Sequence, residues 1–245
     1  MNRQVFAVEL TDELRKIVRE PTALLFSVLM PVAFFALFVS IFGRYHTGGL
    51  TTGTSMLATY GTYGVIVVTL MNPGIGVAQD RERGWLRAKQ VSAVPITLTL
   101  AAKVAAALVY AITVLVAMTV TAAALGVLQT SPGDLVRLAV VVLVGSFPFA
   151  LLGLAVGFQA GSSASAAILN AVLMPAAVLS GLWIPLSFLP AFFSDVARFL
   201  PTYHLAQLAS AQLTGGQVLL HVAVLVGMTL VAARLAAVSY RRART

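Results

Sequence analysis

Apolar residues in this chain form long uninterrupted runs. Six of these runs are close to the twenty residues or so that a helix needs to cross the hydrocarbon core of a bilayer. In lipid the backbone must satisfy its own hydrogen bonds, so such runs predict helices. A β-barrel would instead show segments of about ten residues that alternate apolar and polar. The predicted spans are residues 22–43, 55–78, 104–126, 138–158, 166–184 and 218–235.

A polar segment separates the fourth predicted span from the fifth. Residues 138–194 contain no charged residue and are too long for a single crossing. Within them, residues 159–165 are rich in Gly and Ser, which mark turns. We therefore predict a turn there, with one span on each side.

Two further segments are neither spans nor simple loops. Residues 3–20 repeat apolar side chains at helical spacing from Phe6 to Ile17, which predicts an amphipathic helix on the membrane surface that ends before Pro21. Residues 185–215 contain three prolines and many aromatic residues. We expect short helices there that form a re-entrant hairpin in the outer leaflet, with their irregular backbone buried by protein.

Composition supports a membrane environment. The 245 residues are 59% hydrophobic and 10% charged, whereas soluble domains carry about 25% charged residues. Mean hydropathy is +0.94. The chain has no cysteine, which excludes disulfides and thiolate chemistry, and we recognise no cleavable signal peptide. We expect one all-α polytopic membrane domain over residues 1–245.

The basic residues predict an orientation. With six crossings both chain ends lie on one side. The two ends and residues 79–103 together carry 13 Arg and Lys, against 3 in the opposite segments. By the positive-inside rule both termini are then cytoplasmic. Arg outnumbers Lys by 13 to 3 and Ala and Val are abundant, which indicates a GC-rich bacterial genome, so we expect the inner or plasma membrane of a bacterial cell. The net charge of +8 fits this orientation and gives no reason to expect a nucleic-acid partner.

Charge is concentrated in one short stretch. Residues 78–90, AQDRERGWLRAKQ, contain six of the 24 charged side chains of the chain. Such a loop can simply supply orientation charge. However, Asp80 and Glu82 add nothing to orientation, and Trp85 and Leu86 place apolar groups inside the run. A short helix with an aromatic anchor and mixed charges is also typical of a docking element for a cytoplasmic partner.

Several chemistries are missing or weakly indicated. The chain has no G-x-x-x-x-G-K-[ST] motif, so ATP hydrolysis would need a separate polypeptide. We expect His46, His204 and His221 to lie far apart and to form no metal site. An intramembrane protease would have to pair a residue such as Ser163 with His221, but the predicted topology separates them by about 30 Å. No Asp or Glu falls inside a predicted span, so a carboxylate for proton or sodium coupling is missing, which disfavours an ion-coupled secondary transporter.

Two blocks of sequence resemble a known family. The stretch DRERGWL at residues 80–86, followed by Pro95, resembles the loop after the second helix in permease subunits of ABC-2 type exporters. Residues 174–207, MPAAVLSGLWIPLSFLPAFFSDVARFLPTYHLAQ, resemble the fifth helix of that family and the outer-leaflet hairpin that follows it. Trp85 departs from the pattern, since the family often has a small polar residue there. The resemblance covers essentially the whole chain.

The resemblance implies the permease subunit of an ATP-driven exporter. Two permease subunits, as a homodimer, would work with two cytoplasmic ABC ATPase subunits that bind ATP and Mg²⁺. This chain itself would bind no cofactor or metal and would have no catalytic residue. The cargo would be a hydrophobic or amphipathic compound, such as a drug, a natural product or a lipid-like molecule. The alternatives are an ion-coupled secondary transporter, a six-span intramembrane protease and a non-transporting membrane scaffold.

The resemblance also assigns roles to residues. A coupling helix within residues 79–97 would contact the ATPase together with the amphipathic helix. The residues implied to couple to the ATPase are Asp80, Arg81, Glu82, Arg83, Trp85 and Leu86, with Glu9 and Glu13 on the amphipathic helix. The substrate path would follow the dimer seam along the first, second and fifth spans. The residues predicted to line it are Asn170, Ser180, Phe34 and Tyr63.

Overall fold

A computed structural model describes residues 2–19, 21–47, 50–85, 88 and 95–244. The described chain is almost entirely helical. Its α-helices are α1 (Asn2–Arg19), α2 (Pro21–Phe42), α3 (Thr52–Glu82), α4 (Ile96–Ala124), α5 (Pro132–Gly145), α6 (Phe147–Gly157), α7 (Ser162–Leu179), α8 (Ala191–Ala197), α9 (Pro201–Thr214) and α10 (Leu219–Arg244). A 3-10 turn covers Leu186–Phe188, and a short antiparallel ribbon pairs β1 (His46–Thr47) with β2 (Leu50–Thr51).

The helices confirm the prediction of an all-helical membrane protein. Five helical stretches in the described residues are long and apolar enough to cross a bilayer: α3, α4, α5 together with α6, α7 and α10. Helix α2 contains a shorter apolar stretch, Val28–Phe42. The predicted total of six spans therefore stays a prediction.

The observed helices differ from the predicted spans at several ends. Helix α4 already begins at Ile96, directly after Pro95, so Lys103 lies inside it. The predicted fourth span is divided at Ser146 into α5 and α6, because Pro148 cannot donate a backbone hydrogen bond to the preceding turn. Helix α7 ends at Leu179, before the predicted residue 184.

A glycine turn explains the end of α7. Gly181 has φ +72°, a left-handed conformation that favours glycine. The N–H of Leu182 donates to the carbonyl of Ala177 at 3.0 Å, and the N–H of Gly181 donates to Val178 at 3.2 Å. These two bonds satisfy carbonyls that the helix would otherwise leave unpaired, so the chain leaves the helix axis here.

Helix α3 lies at the centre of the bundle. It packs against α2, α4, α6, α7 and α9, and 72% of its most apolar stretch is buried. Close approach to α6 depends on Gly74 and Gly153, where a methyl group would collide with a backbone carbonyl of the other helix. Small residues of this kind allow helices in lipid to pack backbone against backbone.

Helix α1 matches the predicted amphipathic segment, because it covers Asn2–Arg19 and so ends before Pro21. Its apolar side chains Phe6, Leu10 and Leu14 are half-buried, and the helix packs mainly on α4. After α7, the short helices α8 and α9 occupy the predicted hairpin region, and α9 packs on α3, α5 and α10. Its placement in the outer leaflet stays a prediction.

Candidate functional site

The last three residues of α3 contact three different parts of the chain. Asp80 is buried and pairs with Lys103 of α4, whose ammonium Nζ lies 2.8 Å from Asp80 Oδ2. The same Nζ lies 2.9 Å from Glu13 Oε1 on α1. The Lys103 side chain is 3% exposed. A cation buried to this degree needs close carboxylate partners, and Lys103 has two.

Lys16 of α1 completes the charge balance of this group. Its Nζ lies 2.8 Å from Glu13 Oε1 and 3.6 Å from Asp80 Oδ1. Burial alone would lower the pKa of Lys16, but its hydrogen bonds and attraction to Glu13 and Asp80 outweigh burial and raise that pKa. Two acids and two bases therefore join α1, α3 and α4 without excess charge.

Arg81 and Glu82 bind the two helix ends that flank the turn between α6 and α7. The Arg81 guanidinium donates to the carbonyl of Phe158, the C-cap residue of α6. The Glu82 carboxylate accepts from the backbone N–H of Ser162 at 2.8 Å and from its hydroxyl at 2.7 Å, at the first residue of α7. A helix is electropositive at its N-terminus and electronegative at its C-terminus, so each charge meets the end of opposite polarity.

The turn itself is shaped to receive these side chains. A methyl group on Gly161 would lie 2.6 Å from Glu82 Oε1, so a side chain there would displace the carboxylate. We call Asp80, Arg81 and Glu82, with the partners described above, the helix junction. It ties the end of α3 to α1, α4, α6 and α7.

The chain turns outward directly after the junction. Gly84 has φ +74°, which favours glycine, and the Trp85 side chain is 59% exposed. The predicted contact Leu86 lies outside the described residues, as does most of the predicted coupling loop beyond it. Gly84 thus separates the helix junction, whose residues bind within the chain, from the exposed side chain of Trp85.

A charged cleft lies between α1 and the end of α3. Its volume is about 410 Å³. Five of the residues predicted to couple to an ATPase line it together: Glu9, Glu13, Asp80, Arg83 and Trp85. Its other lining residues are Asp12, Arg15, Lys16 and Arg19. The two segments predicted to contact one partner therefore share one surface.

Sequence reasoning did not identify three residues of this site. Lys16 and Lys103 were counted only as orientation charges, and Ser162 only as part of the predicted polar turn. A signal did exist for Lys103, since it is the first basic residue after Pro95 and lies within an otherwise apolar segment. Such a residue in a helix needs an acidic partner, and Asp80 and Glu13 were available.

Two of the predicted path residues meet at one tryptophan. The ring of Phe34 stacks on Trp183 with centroids 6.4 Å apart, and the ring of Tyr63 meets it edge-on at 5.2 Å. The hydroxyl of Tyr60 donates to the Trp183 carbonyl at 2.9 Å. Beside this aromatic group lies an apolar cavity of about 230 Å³. It is lined by Phe38, Phe42, Thr52, Met56, Trp183, Ile184, Pro185 and Phe188.

The other two predicted path residues lie elsewhere. Asn170 is exposed on α7, and its amide donates to the carbonyl of Ala166 in the same helix at 3.0 Å. Ser180 is buried, and its hydroxyl bonds the hydroxyl of Thr202 in α9. Ser180 therefore joins α7 to α9, whereas Asn170 faces away from the subunit.

The expectation that the histidines lie far apart is wrong for one pair. Nδ1 of His204 lies 2.8 Å from Nδ1 of His221, and Nε2 of His204 lies 2.9 Å from the carbonyl of Arg198. A carbonyl only accepts, so Nε2 of His204 carries hydrogen, and in the neutral ring its Nδ1 then accepts from Nδ1 of His221. The chain reverses between α9 and α10, which brings the two imidazoles together. No group of three metal-ligating side chains occurs among the described residues.

Comparison with known proteins identifies the class. The family model described as "ABC-2 type transporter" matches residues 4–213. The chain therefore belongs to the ABC-2 type transporter family, which confirms the resemblance seen in the sequence. It is a multi-pass membrane protein of the permease type, and the family implies an ABC ATPase as partner.

A curated relative points the same way. The chain is 24% identical over 204 residues to "Putative transport permease YvfS" of Bacillus subtilis (strain 168). The matched region covers 83% of each chain.

Proposed function

We propose that this chain is the permease subunit of an ATP-driven exporter, with six membrane spans and both termini in the cytoplasm. The charged cleft is the observation that carries this proposal. It brings together exposed Trp85, Arg83 and the acids of α1, next to a junction that reaches four other helices. This arrangement fits a surface that receives a soluble partner and passes its movement into the membrane domain.

The cleft suits a docked segment of the ATPase. It contains both acidic and basic side chains, so a partner with complementary charges can orient on it. Trp85 supplies the large apolar contact area that usually dominates binding energy at a protein interface. ATP and Mg²⁺ would be held by the partner, in two copies per permease dimer.

The cargo that fits this chain is hydrophobic or amphipathic. The aromatic group around Trp183 and the adjoining apolar cavity offer ring faces and aliphatic side chains. The cavity, at about 230 Å³, is smaller than the roughly 300–1,000 Å³ of sites that enclose a drug-sized ligand. A cargo would therefore place only an apolar part there.

A homodimer would cover exposed apolar faces of two helices. Outward-facing residues on α2 include Phe34, Leu37 and Ile41, and those on α7 include Ile168, Val172 and Met174. In a membrane these faces contact either lipid or a second subunit. We place the dimer seam along them because the predicted path residues Phe34 and Asn170 lie on the same helices.

Ion-coupled transport is the second candidate function. Buried ionisable residues inside spanning helices often mark ion pathways, and Asp80 and Lys103 are buried in α3 and α4. Their short contacts with each other and with Glu13 favour a structural ion pair over an exchangeable ion site.

Reconstitution distinguishes the two candidates. The chain would be purified alone and together with its ABC ATPase, which we would look for first in the neighbouring open reading frame. Both preparations would be placed in proteoliposomes with a panel of amphipathic dyes. We expect dye transport only with the ATPase and ATP. Transport by the chain alone, driven by a proton or sodium gradient, would support the second candidate instead.

A further inference from the structure

Glu82 connects the charged cleft to the start of α7. It is followed directly by Arg83 and, after Gly84, by Trp85, and both Arg83 and Trp85 line the cleft. Its carboxylate holds Ser162 by two hydrogen bonds. A partner that moves the chain at Trp85 therefore displaces a group bonded to α7 only three residues away.

The contact between Glu82 and Ser162 is suited to transmit force. Two carboxylate oxygens bind two donors of one residue, so the bond resists rotation as well as separation. The negative charge also stabilises the N-terminus of α7, where backbone N–H groups lack partners within the helix. Arg81 holds the preceding helix at Phe158, which fixes the other side of the turn.

Helix α7 is held less tightly within its own subunit than α3. Of its most apolar stretch 22% is buried there, against 72% for α3, and the reference helix α10 is buried to 11%. Elements with few buried contacts need the least free energy to move. Helix α7 has 18 residues and is therefore about 27 Å long. Just beyond its other end stands Trp183, at the centre of the aromatic group.

We propose that Glu82 is the positioning residue through which the docked ATPase moves α7, so that α7 carries the movement from the charged cleft to the aromatic group. The proposal rests on the proposed function, because it needs an ATPase in the cleft. It adds the specific link, one carboxylate on Ser162, and the specific helix that moves.

The chain offers a matched control for a purely structural role. At the N-terminus of α5, Asp134 and Ser131 form a similar acid–serine pair. Ser131 Oγ accepts from the Asp134 N–H at 3.1 Å and donates to its carboxylate at 2.8 Å. Asp134→Asn weakens a helix N-terminus of the same chemistry, away from the cleft. If weakening any helix N-terminus in the subunit were enough to remove the emission shift on α7, this variant would lose the shift too.

The test follows α7 directly. Because the natural chain has no cysteine, Val172→Cys provides a single site for a bimane fluorophore on the α7 face that the proposed dimer seam would cover, and size-exclusion chromatography checks that the labelled chain still forms its complex. Val231→Cys on the exposed face of α10 provides a reference label. In the purified complex with the ATPase, we expect ATP with orthovanadate to shift the bimane emission at position 172 and to leave position 231 unchanged.

The variants then decide the outcome. Glu82→Gln should abolish the emission shift at position 172, and Ser162→Ala, which keeps one of the two bonds, should reduce it, while the ATPase still co-purifies. Glu82→Asp should restore part of it, and Asp134→Asn should leave it at the level of the unmodified chain. Ser162→Ala keeps the backbone bond and is the milder change, so it decides the matter if Glu82→Gln fails to fold.

Two results would overturn the inference. One is an emission shift of full size in both Glu82→Gln and Ser162→Ala. The other is an ATPase that binds the unmodified chain while position 172 does not respond to ATP. If the ATPase does not co-purify with the unmodified chain, the proposed function itself has failed. If it does co-purify, the two results above count against this inference alone.

Discussion

Lys103 lies between two carboxylates from different helices, with its ammonium 2.8 Å from Asp80 and 2.9 Å from Glu13. One of these acids belongs to the charged stretch after the second predicted span, and the other belongs to the amphipathic helix. The buried lysine therefore fixes α1 on the membrane bundle. This attachment determines where one wall of the charged cleft stands.

Removing this cation should destabilise the protein strongly. Lys103→Met removes the buried cation that lies between two buried carboxylates, and we expect a loss of about 3–5 kcal/mol in the free energy of unfolding. Lys16→Met removes a half-exposed partner of the same acids and should cost less than about 1 kcal/mol. Denaturant unfolding in detergent micelles measures both. Equal, small losses would contradict the role assigned to Lys103.

Trp85 should matter for binding and not for folding. Because its side chain is 59% exposed, Trp85→Ala should change the unfolding free energy by less than about 0.5 kcal/mol. Loss of an aromatic anchor should nevertheless weaken ATPase binding by about tenfold or more. Titration of detergent-solubilised chain with labelled ATPase provides the measurement. Undiminished affinity would remove Trp85 from the docking surface.

The close packing of α3 and α6 at glycine residues gives a third prediction. Gly153→Ala forces a methyl group against the carbonyl of Leu70 and should destabilise the protein by about 1–3 kcal/mol. Gly227→Ala in α10 places its methyl in open space and should be neutral or stabilising by up to about 1 kcal/mol. Thermal unfolding of the two variants compares them directly. If both behaved alike, close packing at this crossing would not limit stability.

The histidine pair should hold α9 against α10. His221→Leu leaves Nδ1 of buried His204 without its donor, and we expect a loss of about 1–3 kcal/mol. His221→Asn can still donate and should recover part of this. If the contact between α9 and α10 loosens, trypsin should also cleave faster after the exposed Arg198, whose carbonyl binds His204. Unchanged cleavage in His221→Leu would show that other contacts hold the hairpin.

Trp183 is expected to affect cargo more than assembly. Trp183→Ala removes the ring that joins Phe34 to Tyr63 but leaves the backbone carbonyl that Tyr60 binds. We expect about a tenfold loss of apparent affinity for amphipathic dyes, measured by dye-stimulated ATPase activity of the complex. Phe199→Ala, at a ring that is 85% exposed, serves as the control and should leave that affinity unchanged.

Hydropathy and helical spacing predicted most of the fold. Run length identified five helical stretches that are long and apolar enough to span, and the periodicity from Phe6 to Ile17 predicted α1, because both signals depend on residues close together in the chain. The division at Ser146 was missed, since Pro148 is compatible with either a kinked helix or two helices. The pairing of His204 with His221 was missed because it depends on the hairpin geometry.

The sequence predicted where the candidate site lies, but not the contacts that its residues make within the chain. Asp80, Arg81 and Glu82 were predicted to contact a partner, and whether they do so is untested, but each also binds within its own chain. Arg81 and Glu82 meet residues 77 and 80 positions away. No local pattern indicates such pairings, whereas the position of Lys103 in an otherwise apolar segment did indicate that it needs an acidic partner. Only the three-dimensional arrangement separates these inward bonds from the exposed Trp85.

The order of Arg81 and Glu82 has a consequence that the amino-acid composition does not show. Exchanging the two residues would leave mass, net charge and hydropathy unchanged, yet it would present an anion to the carbonyl end of α6 and a cation to the amide end of α7. The attraction between each side chain and its helix end would become repulsion. The order of these two residues therefore matters, because exchanging them would break the bonds that hold the turn between α6 and α7, which lies more than seventy residues away in the sequence.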